Sequence, residues 1–100
     1  MFPEQALETA LAAFWEHQVR VMVELEKMAP TDSPIDASMH LDSQIAVEVL
    51  CELEPIMGVP LKDDAIRKGG YMSYGQFKSY TLGRMRSIWI KRAAKGPSRG

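Results

Sequence analysis

Residues 41–54 read LDSQIAVEVLCELE and carry the strongest structural signal in the chain. Apolar residues recur there at spacings of three and four, which predicts an amphipathic helix over residues 43–57. Gly58 and Pro60 then end the helix. The positions expected to face inward are Ile45, Ala46, Val49, Leu50, Leu53, Ile56 and Met57.

Asp42 and Ser43 stand directly before this helix. Both are favoured N-cap residues, so either fits as an ordinary cap that accepts a hydrogen bond from a free backbone N–H group. Ser43 also places a hydroxyl at a junction between loop and helix, where free N–H groups and the helix dipole favour a bound negative charge. Taken alone, the pair favours the capping interpretation.

A long helix is predicted before this stretch. Residues 4 to about 28 contain no glycine or proline and show apolar residues at helical spacing. Pro3 suits the first turn of the helix and Pro30 ends it. The apolar positions are Leu7, Leu11, Phe14, Val21, Leu25 and Met28. Residues 29–41 form a proline-rich loop whose Ile35, Met39 and Leu41 are expected to return to the core, which predicts an ordered crossing.

Two helices are predicted after the quoted stretch. Residues 62–68 have room for one or two helical turns, closed by Gly69 and Gly70. Residues 73 to about 94 form the last helix, with one face made of Phe77, Thr81 or Leu82, Met85, Ile88 and Trp89. Strand signals are absent, so the predicted fold is all-α, a small irregular four-helix bundle. One domain is expected over residues 1–95, with a flexible tail at residues 96–100.

The charges are divided along the chain. The formal net charge is −1, but residues 1–64 hold all 13 acidic residues and three of the 12 basic ones, a net charge of −10. Residues 65–100 hold nine basic residues and no acidic one, a net charge of +9. On the predicted second helix, Glu48, Glu52 and Glu54 are expected to face outward. Such a face is either simply solvated or a docking surface for a basic partner.

Neither catalysis nor a metal site is predicted. Cys51, His17 and His40 are the candidates for a nucleophile and its bases, but Cys51 lies within a helix among apolar residues, where a free cysteine normally acts as a small hydrophobe. No electropositive setting for a thiolate is visible. The aspartates do not match a calcium loop.

A cytoplasmic location is expected. Glu4 and Glu8 stand where a secretory signal needs basic and then apolar residues. The single cysteine cannot form an internal disulfide, and no apolar run approaches the roughly 20 residues that span a bilayer.

Residues 20–82 resemble the acyl carrier protein family, the phosphopantetheine-binding carrier domains. Asp42-Ser43-Gln44 stands where the family has Asp-Ser-Leu, and residues 45–54 repeat the family's apolar and acidic alternation. Ile35 and Met39 fall where the family's first loop supplies buried residues. GVPLKDDAI at residues 58–66 is similar to the family's turn and short third helix, and SYGQF at residues 73–77 to the start of its fourth.

The resemblance implies a carrier and no enzymatic activity. A phosphopantetheinyl transferase would move 4′-phosphopantetheine from coenzyme A onto the Ser43 hydroxyl, with Asp42 as cap and part of the transferase's recognition surface. The thiol of the arm would then carry an acyl, polyketide or aminoacyl group as a thioester. A loading ligase and downstream transferases would be the partners, recognised through Gln44, Glu48, Glu52 and Glu54.

The sequence departs from the family at two places. Gln44 replaces the usual leucine and removes an apolar contact near the base of the arm. The basic segment at residues 78–99 extends past the family's usual end, and it reads first as a longer amphipathic helix that packs Met85 and Trp89 with solvated cations outside. Contact with nucleic acid, an anionic membrane or an acidic partner remains an alternative for this segment. For the whole chain, the alternatives are an unmodified docking module of carrier fold and a small nucleic-acid-binding domain.

Overall fold

The regular secondary structure of the described residues consists of α-helices and short 3-10 turns. The structure, a computed structural model, describes residues 1–95, and of residues 93–95 only the backbone. Its elements are α1 (Glu4–Glu24), a 3-10 turn (Pro34–Asp36), α2 (Ser43–Ala46), α3 (Val49–Met57), a 3-10 turn (Asp63–Ala65) and α4 (Tyr74–Lys95). No β-strand forms within the described range, so the predicted all-α class is confirmed. The tail predicted at residues 96–100 lies outside the described residues.

The helix predicted over residues 43–57 has these bounds but is interrupted. Val47 and Glu48 keep right-handed helical angles, with φ of −59° and −63°. The hydrogen bonds there tighten to the 3-10 pattern, because the N–H of Leu50 donates to the carbonyl of Val47 at 3.1 Å. The backbone therefore keeps a helical course from residue 43 to residue 57, and the break in α-helical hydrogen bonding divides it into α2 and α3. Ile45, expected inside, is 41% exposed.

Helix α1 ends at Glu24, about four residues earlier than predicted. Glu26 adopts the left-handed conformation, with φ of 61°. The N–H of Lys27 then donates to Met22 O at 2.8 Å, and the N–H of Glu26 donates to Val23 O at 2.9 Å. These two bonds are those of a Schellman motif, which ends a helix although no glycine is present.

The core lies among α1, α3 and α4, and α1 and α4 run antiparallel. Phe2 packs edge-on against Trp89, with ring centroids 6.0 Å apart. At the other end of this helix pair, the ring centroid of Trp15 in α1 lies 5.9 Å from that of Phe77 and 6.2 Å from that of Tyr74. Trp15 is fully buried, as is Val19, and neither was among the predicted apolar positions of α1. The remaining expected positions are divided, since Leu7, Leu11 and Phe14 are buried whereas Leu25 is 59% exposed.

The loop between α1 and α2 is an ordered crossing, as predicted. The indole N–H of Trp15 donates to the carbonyl oxygen of Pro34 at 3.1 Å. Met39 and Leu41 are buried, and Ile35 packs half-buried against the core. The loop is therefore fixed to α1 at its middle and to the core at its end.

The predicted third helix is shorter than expected. Only residues 63–65 form a helical turn, because Ile66 is already extended with φ of −98° and ψ of 136°. Its side chain and that of Ala65 are buried. This segment therefore contributes buried side chains to the core, although it forms only a single helical turn.

Helix α4 starts and packs as the sequence predicted. The hydroxyl of Ser73 accepts a hydrogen bond from the N–H of Gln76 at 3.1 Å, which caps the helix. Met85 is fully buried and Trp89 is half-buried. Three of the cations make internal contacts in the described part of the helix. Arg86 pairs with Glu4 at 2.7 Å, Arg92 donates to the carbonyl of Gly58 at 2.9 Å, and the ammonium group of Lys78 lies 5.9 Å from the ring centroid of Tyr74. Within residues 1–95, no helix combines the length and apolar character needed to cross a membrane.

Alkaline pH is expected to weaken this fold through Tyr74. Its burial, and then the carboxylates of Glu8 and Glu16, raise the pKa of Tyr74 above the ordinary value of 10.0. A raised pKa in the folded state means that this contribution to stability is complete below pH 10.0 and is lost as the pH rises through the folded pKa. We expect the free energy of unfolding of Tyr74→Phe to fall less than that of the wild type above pH 10.0.

Chemical denaturation at several pH values checks this expectation, together with tyrosinate absorbance. Glu8→Gln is the matched variant, because it should move the pKa of Tyr74 back toward 10.0 while burial continues to raise it. An identical alkaline loss in the wild type and Tyr74→Phe would contradict the assignment.

Candidate functional site

Ser43 follows a loop that is pinned to a distant part of the chain. Leu41 and Tyr71 form an isolated antiparallel bridge, in which Leu41 N donates to Tyr71 O at 2.7 Å and Tyr71 N donates to Leu41 O at 3.0 Å. One residue earlier, the Nε2 atom of His40 is hydrogen-bonded to the carbonyl oxygen of Gly69 at 2.9 Å. Both Leu41 and Tyr71 are buried, so the backbone that leads to Ser43 is held firmly.

Gly70 lies against the same backbone. Its φ is +79°, a conformation that disfavours any side chain. A methyl group at this position would overlap the carbonyl oxygen of Leu41 and stand 3.1 Å from the backbone nitrogen of Ser43. The approach of the two chain segments therefore depends on glycine at position 70.

Asp42 is the N-cap of α2. Its Oδ1 atom accepts a hydrogen bond from the N–H of Gln44 at 2.9 Å, so the capping interpretation of this residue is confirmed. Ser43 is the first residue of α2 and is half-buried. Within the described residues its hydroxyl makes no hydrogen bond to another protein group.

An open cleft of about 300 Å³ adjoins Ser43. It lies between the start of α2 and the segment around the turn at residues 63–65. Val47 and Ile66 supply apolar surface, and the other lining residues are Ser43, Gln44, Asp63 and Lys68. The lining therefore combines two apolar residues with one carboxylate and one ammonium group.

The three predicted partner-binding carboxylates do not share one face. Glu48 and Glu52 are exposed and line a second groove, of about 410 Å³, against α1. Glu54 is half-buried, and its Oε2 atom accepts a hydrogen bond from the N–H of Leu61 at 2.9 Å. The expectation that Glu54 faces outward was therefore wrong, since this carboxylate fixes the loop that follows α3.

The structure does not bring Cys51 and the two histidines together. Cys51 is exposed, which differs from the buried small-hydrophobe role expected of it. It lines the second groove with His17, whereas His40 is bonded to Gly69 beside Ser43. Among residues 1–95, no group of three or more His, Cys, Asp or Glu side chains could hold a metal ion.

Sequence reasoning missed four contributors to the Ser43 cleft: Val47, which is close in sequence, and Asp63, Ile66 and Lys68, which are distant. It also missed the role of Gly70, although the Gly69-Gly70 pair indicated a turn. The long-range bridge between Leu41 and Tyr71 brings the distant residues to Ser43, and no local pattern reports that pairing.

Comparison with known proteins gives no match for this chain, whether with protein-family models, curated proteins or solved structures.

Proposed function

We propose that the chain is a carrier protein that bears 4′-phosphopantetheine on Ser43 and shuttles a thioester-bound acyl, polyketide or aminoacyl group between enzymes. Two observations on one residue carry this proposal: the Ser43 hydroxyl has no protein hydrogen-bond partner within the described residues, and Ser43 lines a cleft. The resemblance of residues 20–82 to acyl carrier proteins supplies the chemistry.

The attachment is a group transfer performed by a separate enzyme. Ser43 Oγ forms a bond to the phosphorus of the phosphopantetheine group while the pyrophosphate bond of coenzyme A breaks. The adenosine bisphosphate leaves, and the hydroxyl proton passes to a base of the phosphopantetheinyl transferase. The chemistry of the loaded group then belongs to the arm and the partner enzymes, while this chain supplies position and recognition.

The proposed fold is the four-helix arrangement of carriers with an extended basic C-terminal helix. In this proposal α2 and α3 together correspond to one interrupted helix, and the turn at residues 63–65 corresponds to a shortened third helix. The long-range hydrogen bonds at His40 and Leu41 support such a role, because a carrier must present its serine in a fixed place to several enzymes.

Partner recognition is proposed for the exposed polar residues near Ser43 and along α3. Asp42 and Gln44 flank the attachment point, and Glu48 and Glu52 supply negative charge one to three turns away. Complementary charge on a loading ligase or a downstream transferase would speed encounter and set orientation more than it would tighten the complex. Glu54 has no part in this proposed surface because its carboxylate is engaged by Leu61.

Incubation with coenzyme A and a broad-specificity transferase tests the proposal. The wild-type protein should gain the mass of one phosphopantetheine, and Ser43→Ala should gain none. Ser79→Ala removes an exposed hydroxyl from α4 and should behave like the wild type. The absence of a gain in the wild type, or a gain that persists in Ser43→Ala, would overturn the assignment.

A second candidate is an unmodified docking module of the same fold. Two observations favour it, since Asp42 acts as an ordinary cap and Gln44 is exposed where carriers usually have leucine. Partner binding that is unchanged in Ser43→Ala would support this candidate. Nucleic-acid binding through α4 has less support, because Arg86 and Arg92 already make internal contacts. Affinity for nucleic acid that falls steeply with added salt would be its signature.

A further inference from the structure

Lys68 supplies the positive charge of the Ser43 cleft. It is exposed and is the one basic residue among those that line the cleft. Gly70, two residues later, approaches the backbone nitrogen of Ser43 closely. Two residues span at most about 7 Å, so the backbone of Lys68 lies within reach of the Ser43 hydroxyl for a long flexible side chain.

Two carboxylates lie close to Ser43 in sequence or in the cleft. Asp42 precedes it in sequence, and Asp63 lines the opposite side of the cleft. Within the described part of the chain, the ion pair with a separation under 4.0 Å joins Arg86 and Glu4. The Lys68 ammonium group therefore has no carboxylate partner among the described residues. A phosphodiester on Ser43 would therefore have Asp42 and Asp63 as neighbours and Lys68 as the one cation that lines the cleft.

We propose that Lys68 binds the phosphodiester that links the arm to Ser43. This inference rests on the proposed function and adds to it the residue that receives the phosphate. A charge-assisted hydrogen bond between the ammonium group and a phosphate oxygen draws the first part of the arm across the cleft, over Val47 and Ile66. The contact is exposed, so added salt weakens it. Lys68 is a positioning residue, because the reacting thioester lies at the far end of the arm.

Phosphorus NMR of the modified protein tests the contact. Lys68→Ala is compared with Lys62→Ala, which removes the same charge from an exposed position of the same segment outside the cleft. At low salt we expect the phosphodiester resonance of Lys68→Ala to be displaced from that of the wild type, and that of Lys62→Ala to coincide with it. At about 1 M NaCl, where the Debye length is ~3 Å, the wild-type resonance should move toward the position seen in Lys68→Ala.

The mass of each protein separates this proposal from the carrier proposal itself. A normal mass gain with identical low-salt resonances in the wild type and Lys68→Ala overturns the Lys68 contact and leaves the carrier function standing. An equal displacement in Lys68→Ala and Lys62→Ala overturns it as well, because the effect would then be one of net charge. If no protein gains mass, both proposals fail.

Discussion

Replacing Gly70 by alanine is expected to lower the free energy of unfolding by about 2–5 kcal/mol. About 1–2 kcal/mol of this loss comes from forcing a residue with a Cβ atom into a left-handed conformation. A further ~1–3 kcal/mol comes from overpacking, because the new methyl group would overlap the carbonyl oxygen of Leu41. Relief requires separation of the two segments, so the bridge between Leu41 and Tyr71 should weaken and Ser43 should move.

Gly69→Ala is the matched control for this prediction. Gly69 also has a positive φ, +86°, but nothing lies within 4 Å of the position that its methyl group would occupy. The loss in the free energy of unfolding of Gly69→Ala should therefore be limited to the ~1–2 kcal/mol of backbone strain. Urea denaturation measures both variants, and amide hydrogen exchange at Leu41 and Tyr71 reports the bridge. Equal losses in the two variants would contradict the close approach of Gly70 to Leu41.

Removal of the Trp15 side chain is expected to be the other large loss, about 3–5 kcal/mol for Trp15→Ala. The ring is fully buried between α1 and α4 and contacts the rings of Phe77 and Tyr74. Its indole N–H also holds the crossing loop at Pro34. The substitution therefore leaves a cavity in the core and releases the loop that leads to Ser43.

Two variants separate these contributions. Trp15→Phe keeps an aromatic ring but loses the bond to Pro34, so it should cost less than Trp15→Ala while still increasing hydrogen exchange in residues 33–37. Trp89→Ala removes the half-buried tryptophan of α4 and should cost less than Trp15→Ala. Urea midpoints with unchanged m-values provide the comparison. A larger loss for Trp89→Ala would contradict the placement of the core at Trp15.

Local patterns predicted the three longer helical segments well, and they predicted their ends and the short third helix less well. The bounds of residues 43–57 followed from apolar spacing and from Gly58, which is left-handed at the C-cap as expected. The end of α1 did not follow, because Glu26 takes a left-handed conformation that sequence rules assign to glycine or asparagine. The interruption at Val47 and Glu48 could not be predicted, because no glycine or proline stands at or beside these positions.

The candidate site was also predicted only in part, because some of its residues are close in sequence and others are distant. Asp42 and Ser43 are neighbours in sequence, so their cap and hydroxyl were visible from residues 41–54 alone. Lys68 and Gly70 reach Ser43 through the Leu41–Tyr71 bridge, which pairs residues 30 positions apart. Helical spacing also grouped Glu54 with Glu48 and Glu52, whereas the hydrogen bond to Leu61 shows that its carboxylate serves the following loop.

The most direct test of the carrier proposal is the intact mass of the protein purified from its own cell, followed by peptide mapping. We expect the 11.2 kDa chain to carry one phosphopantetheine, with any further mass lost on thioester cleavage, and the modified peptide to contain Ser43. A chain that is unmodified in the cell and stays so after incubation with coenzyme A and transferase would contradict the proposal. A phosphopantetheine found on any other residue would contradict it equally.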